Sequence, residues 1–242
     1  MDAAKYKPMT GRARPPHFNE GFKMANKIRV WDLPTRVFHW ALVACVLGLV
    51  VTGKVGGAWI DWHARLGYAV LALLLFRLVW GLVGGRWSRF ASFIYAPSSV
   101  INYLKGRAHP DHLIGHNPLG AGSVFAMLLV LLAQVGSGLV SDDEISFTGP
   151  LNRFVSSANG LLATWYHKQV GQWLIIGLVV LHITAILFYL WRKKDNLIKP
   201  MLSGDKPGTA ASSRDDAQSR LVAAVIFGIC TAFVYWLVTL RA

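Results

Sequence analysis

Acidic side chains are scarce in this chain: 12 Asp and Glu stand against 25 Lys and Arg, and charged residues of both signs make up only 15% of 242 positions. Soluble domains carry roughly a quarter. Cysteine is scarcer still, with Cys45 and Cys230 alone. That excludes a disulfide-stapled secreted scaffold and argues against a structural zinc site. Disorder is excluded from the other side, because 54% of the residues are hydrophobic. What is abundant is tryptophan, with ten, and positive charge, with a formal net +13. A chain both apolar and basic suits nucleic acid, an anionic membrane surface, or an oriented place within a membrane.

Long apolar runs decide among these. Residues 37–53, 66–84, 118–140, 170–191 and 221–240 each approach the roughly 20 residues that a bilayer-spanning helix needs. At this segment length only helices satisfy their own backbone in lipid. The sequence therefore predicts an all-α membrane protein with five transmembrane helices. The segment before Arg36 is polar and basic and lacks the apolar core of a signal peptide, so no cleaved leader is expected.

Charge alternates between the connections. Residues 1–36 hold eight Lys and Arg, 85–117 hold four and 192–220 hold seven, whereas 54–62 has Lys54 alone and 141–166 sets Arg153 against Asp142, Asp143 and Glu144. The positive-inside rule then puts the N-terminus in the cytoplasm and the C-terminus outside. Nineteen of the 25 basic residues fall on the inner side, so the charge reads as topology and not as nucleic-acid binding. The Gly/Ser/Asp-rich stretch 203–219 reads as a flexible linker to the fifth span. Residues 97–106 are expected to form a short interfacial helix. Trp59, Trp62, Trp165 and Trp191 fall at span ends, as an aromatic belt requires.

Four of the eight histidines lie in or beside the spans: His39, His63, His167 and His182. Polar groups there are costly and usually functional. The topology puts His63 and His167 near the outer ends of spans two and four, and His39 near the inner end of span one. His182 lies 15 residues after His167, roughly 22 Å further in and roughly 60° around the helix. The set divides into an outer pair, His63 with His167, and an inner pair, His39 with His182, each from two helices. Bis-imidazole ligation of a haem iron needs that arrangement. A single such histidine is as readily an interhelical hydrogen-bonding residue, but four in two depth-matched pairs are much less easily accidental. A di-metal site or a proton relay calls for carboxylates, and the predicted spans contain none. His63 and His167 both open an H-x-x-x-G pattern, ending at Gly67 and Gly171. A glycine one turn below the ligand leaves room for the edge of a flat macrocycle.

Arg77 lies 14 residues after His63, about 21 Å inward, at the level of the inner pair. With no acid in the spans, a haem propionate is its expected counter-ion; snorkelling to headgroups is the alternative. Arg36 serves the same haem or is a plain topogenic charge. Arg65 and Lys168 flank the outer ligands and meet outer propionates or headgroups. His116-Asn117-Pro118 is expected to open the third span, with His116 at a quinone pocket or a propionate as a further option; His109, His112 and His116 lack the thiols that would support a metal site. His17 is expected to be solvated, and Cys45 and Cys230 to be packing residues.

The motifs VWDLPTRVFHW (30–40), WHARLGY (62–68), GHNPLG (115–120), WYHK (165–168) and NLIKPM (196–201) together resemble the bacterial cytochrome b561 family, in its branch related to the cytochrome b subunits of nickel–iron hydrogenases. The resemblance covers about 29–206. It implies a four-helix bundle holding two haem b, with His39 and His182 on one and His63 and His167 on the other, and electron transfer between membrane quinones and a partner redox protein. The fifth span lies outside it, and either packs on a partner subunit or closes a homodimer. The expected organisation is a cytoplasmic tail (1–29), a dihaem cytochrome b domain (30–202), a linker (203–219) and an extra helix (220–242). The leading expectation is electron transfer between the quinone pool and a periplasmic c-type cytochrome or hydrogenase. A superoxide:quinone oxidoreductase, with Lys54, Arg65, Arg153 and Lys168 as a cationic funnel, and a non-redox membrane anchor are the alternatives.

Overall fold

The structure, a computed structural model, describes residues 26–240 apart from 108, 110, 111 and 113. The predicted tail before Asn26, His17 included, lies outside them. Strand β1 (Lys27–Arg29) pairs antiparallel with β2 (Asp205–Pro207), Arg29 opposite Asp205. Helix α1 (Leu33–Val55) begins where the Asp32 carboxylate accepts the Thr35 N–H at 2.8 Å, with Pro34 in the first turn. A tight reversal follows, made by Gly56 and Gly57 at φ of 66° and 56°, a conformation that side chains disfavour. Helix α2 (Ile60–Val83) runs back. The short α3 (Pro97–Leu104) is the expected small helix between spans two and three. Helix α4 (Pro118–Val140) is capped by Asn117, whose side chain accepts the Gly120 N–H at 2.8 Å. Helix α5 (Ser157–Trp165) continues through a π-helical turn, Tyr166–Gly171, into α6 (Gln172–Trp191). The short α7 (Ile198–Ser203) precedes β2, and α8 (Ala217–Thr239) closes the chain.

Among the described residues, five helical stretches are long and apolar enough to cross a membrane: Leu33–Val55, Gly57–Val83, Pro118–Val140, Ser157–Trp191 and Ala217–Thr239. The third has the bounds read from sequence. The others begin earlier, because caps such as Asp32 and Ser156 start helices with polar residues that hydropathy discounts. The alternation defines two ends. At the ribbon end α1, α4 and α8 begin beside β1–β2; at the far end they finish.

Helix α2 is the hub of the bundle. Its Val70 and Leu74 pack with Leu128 and Val135 of α4 and Val234 of α8. Its Phe76 and Trp80 pack with Phe38 of α1 and Ala223 and Cys230 of α8. Both cysteines are free packing residues. The fifth span thus packs on the bundle of its own chain. By contrast, no residue of α6 is buried. Between helices in lipid, close packing and polar contacts replace the hydrophobic drive that holds a soluble core.

The stretch 203–219 is not a free linker. Arg29 reaches both Asp205 and Asp215 at 2.8 Å. Asp215 also accepts the Leu33 N–H at 3.2 Å and Arg220 Nε at 3.0 Å. Ser213 donates to the Val30 carbonyl at 2.9 Å and accepts the Trp87 N–H at 3.2 Å. Gly, Ser and Asp content suggested freedom, but the aspartates are taken up by arginines of the facing strand and helices. Burial alone would push the Asp215 carboxyl up; the bonds from Arg220 and Leu33, with the charges of Arg220 and Arg29, hold it below its ordinary value.

Candidate functional site

The far end brings His63, in the first turn of α2, next to His167, in the π turn. Their ring centroids stand 6.0 Å apart with planes at 79°. Two imidazoles ligating one metal from opposite sides through bonds of about 2 Å have centroids roughly 6 Å apart. His63 Nδ1 lies 3.1 Å from the Leu49 carbonyl and 3.2 Å from the Thr52 hydroxyl. His167 Nδ1 lies 2.9 Å from the Gln134 carbonyl and 3.2 Å from the Ser137 hydroxyl. A carbonyl only accepts, so each Nδ1 carries the proton and each Nε2 keeps its lone pair for a metal. Gln134 braces the turn from α4, donating Nε2 to the His167 carbonyl at 3.1 Å. The π turn changes the sequence arithmetic: its wider i→i+5 repeat breaks the α-helical register assumed between His167 and His182. Such turns recur at functional sites.

At the ribbon end His39 of α1 and His182 of α6 come within electrostatic reach of each other. Arg77 is 3% exposed, with its guanidinium 4.7 Å from the Phe90 ring centroid. The spans read from sequence supply no acid, but one just outside them, Asp32 before α1, lies within reach of its charge. Asp32 is already taken, accepting Thr35 N–H, Trp80 Nε1 at 3.2 Å, Gly85 N–H at 3.1 Å and Ser88 Oγ at 2.7 Å. Arg36 is largely committed to the ribbon, donating Nη1 to the Leu202 carbonyl at 2.6 Å with Nη2 4.0 Å from Asp215. His116 is wedged between Trp31 and Phe93, at centroid distances of 4.6 and 4.4 Å. Burial, and then the charges of Arg77 and His182, lower it to about 3, so the ring is neutral.

Arg36 Nε, His39 Nδ1, Arg77 Nη1 and His116 Nδ1 are buried here without a hydrogen-bond partner. Each such atom costs about 1–3 kcal/mol if left unanswered. The Arg36, Arg77 and His116 nitrogens suit an anionic oxygen group, and a haem propionate has that chemistry, whereas His39 belongs with His182. A b-type haem therefore fits the residues at both ends: by ring spacing and tautomer at the far end, by orphaned donors at the ribbon end.

The other expected residues divide. A Cβ at Gly67 would meet nothing within 4 Å, whereas one at Gly171 would strike the Gln134 and Tyr166 side chains; the H-x-x-x-G echo spans two different environments. Arg65 stacks on Trp62 at 5.1 Å, Lys168 lies 3.8 Å from Asp143, and Lys54 donates to Gln172 at 3.2 Å. Asp143 folds its own loop: hydrogen bonds from the Phe147 and Ser146 N–H groups hold its carboxyl far below the usual range. His112 packs against Tyr95, with ring centroids 4.6 Å apart and planes tilted at 59°. Among the described residues, no group of three His, Cys, Asp or Glu is placed to hold a metal ion. The sequence reading missed the Asp32 hub and the π turn; the D-L-P-T cap signal pointed to the first, and nothing in the sequence marked the second.

A family model described as prokaryotic cytochrome b561 matches residues 30–204, which leaves α8 outside. The chain is 26% identical to a probable Ni/Fe-hydrogenase 1 B-type cytochrome subunit of Escherichia coli, over 72% of this chain and 88% of that one. Probable Ni/Fe-hydrogenase B-type cytochrome subunits of Bradyrhizobium diazoefficiens (23% identical, 74% and 85% covered) and Cupriavidus necator (25% identical, 72% and 85% covered) are similarly related. No solved structure matches the chain.

Proposed function

The chain belongs to the prokaryotic cytochrome b561 family and is a multi-pass membrane b-type cytochrome; from that premise we propose that it holds two haem b and passes electrons across a bacterial inner membrane. The observation that carries this reading is the far-end geometry, two imidazoles at 6.0 Å with both Nδ1 atoms hydrogen-bonded to backbone carbonyls. His63 and His167 hold one haem and His39 and His182 the other. Arg77, with His116 and Arg36, answers the propionates at the ribbon end. Bound haem supplies the one-electron iron couple. The protein fixes the tautomer of both far-end ligands and neutralises propionate charge at the ribbon end.

The basic connections gather at the ribbon end, so that end faces the cytoplasm and the C-terminus the periplasm. Membrane quinone is one electron partner. A hydrogenase, in keeping with the names of the relatives, or a c-type cytochrome is the other. The superoxide reading needs a free cationic approach to the far-end pair. Lys168 beside Asp143, Lys54 on Gln172 and Arg153 on the Leu240 carbonyl at 2.9 Å argue against it. An anchor without redox function would bind no haem.

Vesicles loaded with ferricyanide and carrying the purified protein test the reading. With an impermeant reductant outside, the wild type should reduce the trapped ferricyanide and His182→Ala should not. A wild type with its full haem content that leaves the ferricyanide oxidised would contradict it.

A further inference from the structure

Two stretches that no motif singled out do the same work at the far end. In α1, Leu49-Val-Val-Thr52-Gly53 faces His63; in α4, Gln134-Val-Gly-Ser137-Gly138 faces His167. In each, the first residue offers its carbonyl to the histidine Nδ1 and the hydroxyl three residues on lies 3.2 Å from the same nitrogen. The hydroxyl proton is already committed: Thr52 donates to the Gly48 carbonyl at 2.7 Å and Ser137 to the Gln134 carbonyl at 2.8 Å. Each hydroxyl oxygen is therefore a second acceptor for Nδ1–H. The next residue is glycine in both. A Cβ at Gly53 would come 3.0 Å from His63 Cε1, and a Cβ at Gly138 would come 3.0 Å from His167 Cε1. Glycine lets the imidazole lie against the helix while its N–H reaches the backbone.

We propose that these are two copies of one ligand seat, a carbonyl, a hydroxyl and a glycine at positions i, i+3 and i+4 of the helix beside each histidine, and that the duplicated seat makes the far-end haem the lower-potential one. This rests on the two-haem reading. Hydrogen bonding from the outer ring nitrogen to good acceptors raises the basicity of the ligating nitrogen. A more basic ligand favours ferric iron, which lowers the potential. Both far-end ligands have this support. At the ribbon end His39 Nδ1 is buried without an acceptor. Thr52 and Ser137 are thus positioning residues that act on the metal through the histidines. Electrons at equilibrium collect at the ribbon end.

Redox titration of the purified holoprotein, followed by electron paramagnetic resonance of the low-spin ferric signals, tests this. His63→Ala first identifies the far-end signal. The Thr52→Val/Ser137→Ala double variant should raise the far-end midpoint and shift its largest g-value, leaving the ribbon-end centre in place. Thr52→Ser should retain wild-type values. Thr231→Val in α8, which removes a hydroxyl bonded to the Phe227 carbonyl at 2.9 Å, should change neither centre. Gly53→Ala should weaken or abolish the far-end signal and bring haem content towards one per chain. A double variant with two haems whose far-end midpoint and g-values equal the wild type overturns the proposal, as does a wild type in which the far-end midpoint is the higher. A wild-type chain that holds one haem at full occupancy contradicts the two-haem reading itself.

Discussion

The two ends of the bundle solve the same problem by different means. At the far end the histidine Nδ1 atoms are answered by backbone carbonyls and hydroxyls of the neighbouring helices, and among the described residues the buried orphan there is Gln134 Oε1. At the ribbon end two arginine and two imidazole nitrogens are buried without partners. Backbone acceptors are always present in a helix and can be aimed by a glycine; they orient a ligand without adding charge. A buried guanidinium nitrogen without a partner is a standing cost, and an anionic acceptor removes it well. The far end is prearranged by the chain itself; on the proposed reading, the ribbon end is completed by the haem it holds.

Arg77→Met would break this contrast most severely. A hydrogen bond to a charged group contributes about 1.5–3 kcal/mol, so ribbon-end haem retention should fall about ten- to hundredfold, while the haem-free protein becomes no less stable. Haem release to apomyoglobin measures the first and thermal unfolding the second. Equal destabilisation with and without haem would make Arg77 a plain structural residue. A smaller effect is expected at Asp215, which ties Arg29, Arg220 and the start of α1 together. Asp215→Asn should loosen residues 205–216 by about 2 kcal/mol, read by hydrogen exchange, with the far end unchanged.

Acidification should act on the same hub. The Asp215 carboxyl lies below its ordinary value in the folded chain. Its stabilisation is therefore complete above the unfolded value of about 3.9 and is lost as pH falls through the lower folded value. Ribbon protection should be flat from pH 5 to 8 and decline only below about pH 4. The smallest change is expected for Lys168→Gln at the far end. An exposed pair such as Lys168 with Asp143, 3.8 Å apart, contributes at most about 0.5–1 kcal/mol, so melting temperature and far-end spectrum should be nearly unmoved. A large spectral change would show that this end does depend on charge.

Apolar runs and basic connections were enough to read the five spans and the gathering of positive charge at one end, because lipid imposes length and charge rules that act locally along the chain. The depth pairing of the histidines follows from the same ruler, and the His63 and His167 ring centroids stand 6.0 Å apart. What escaped was decided by contacts between distant segments. Asp32 reads as a helix cap, yet it also gathers Trp80, Gly85 and Ser88. His116 reads as a helix opener, yet it is wedged between Trp31 and Phe93, within electrostatic reach of Arg77 and His182. The stretch 203–219 looked free because its arginine partners lie 170 to 190 positions away in the sequence or in the following helix. The glycines at 53 and 138 carry no signal until the opposing imidazole is known.

Haem content in the wild type and the four single His→Ala variants, combined with reduced-minus-oxidised spectra, tests the account most directly. Two haem b per chain are predicted for the wild type. His63→Ala and His167→Ala should lose one spectral component, and His39→Ala and His182→Ala the other. A single haem in the wild type, or loss of the same component from His63→Ala and His182→Ala, would contradict it.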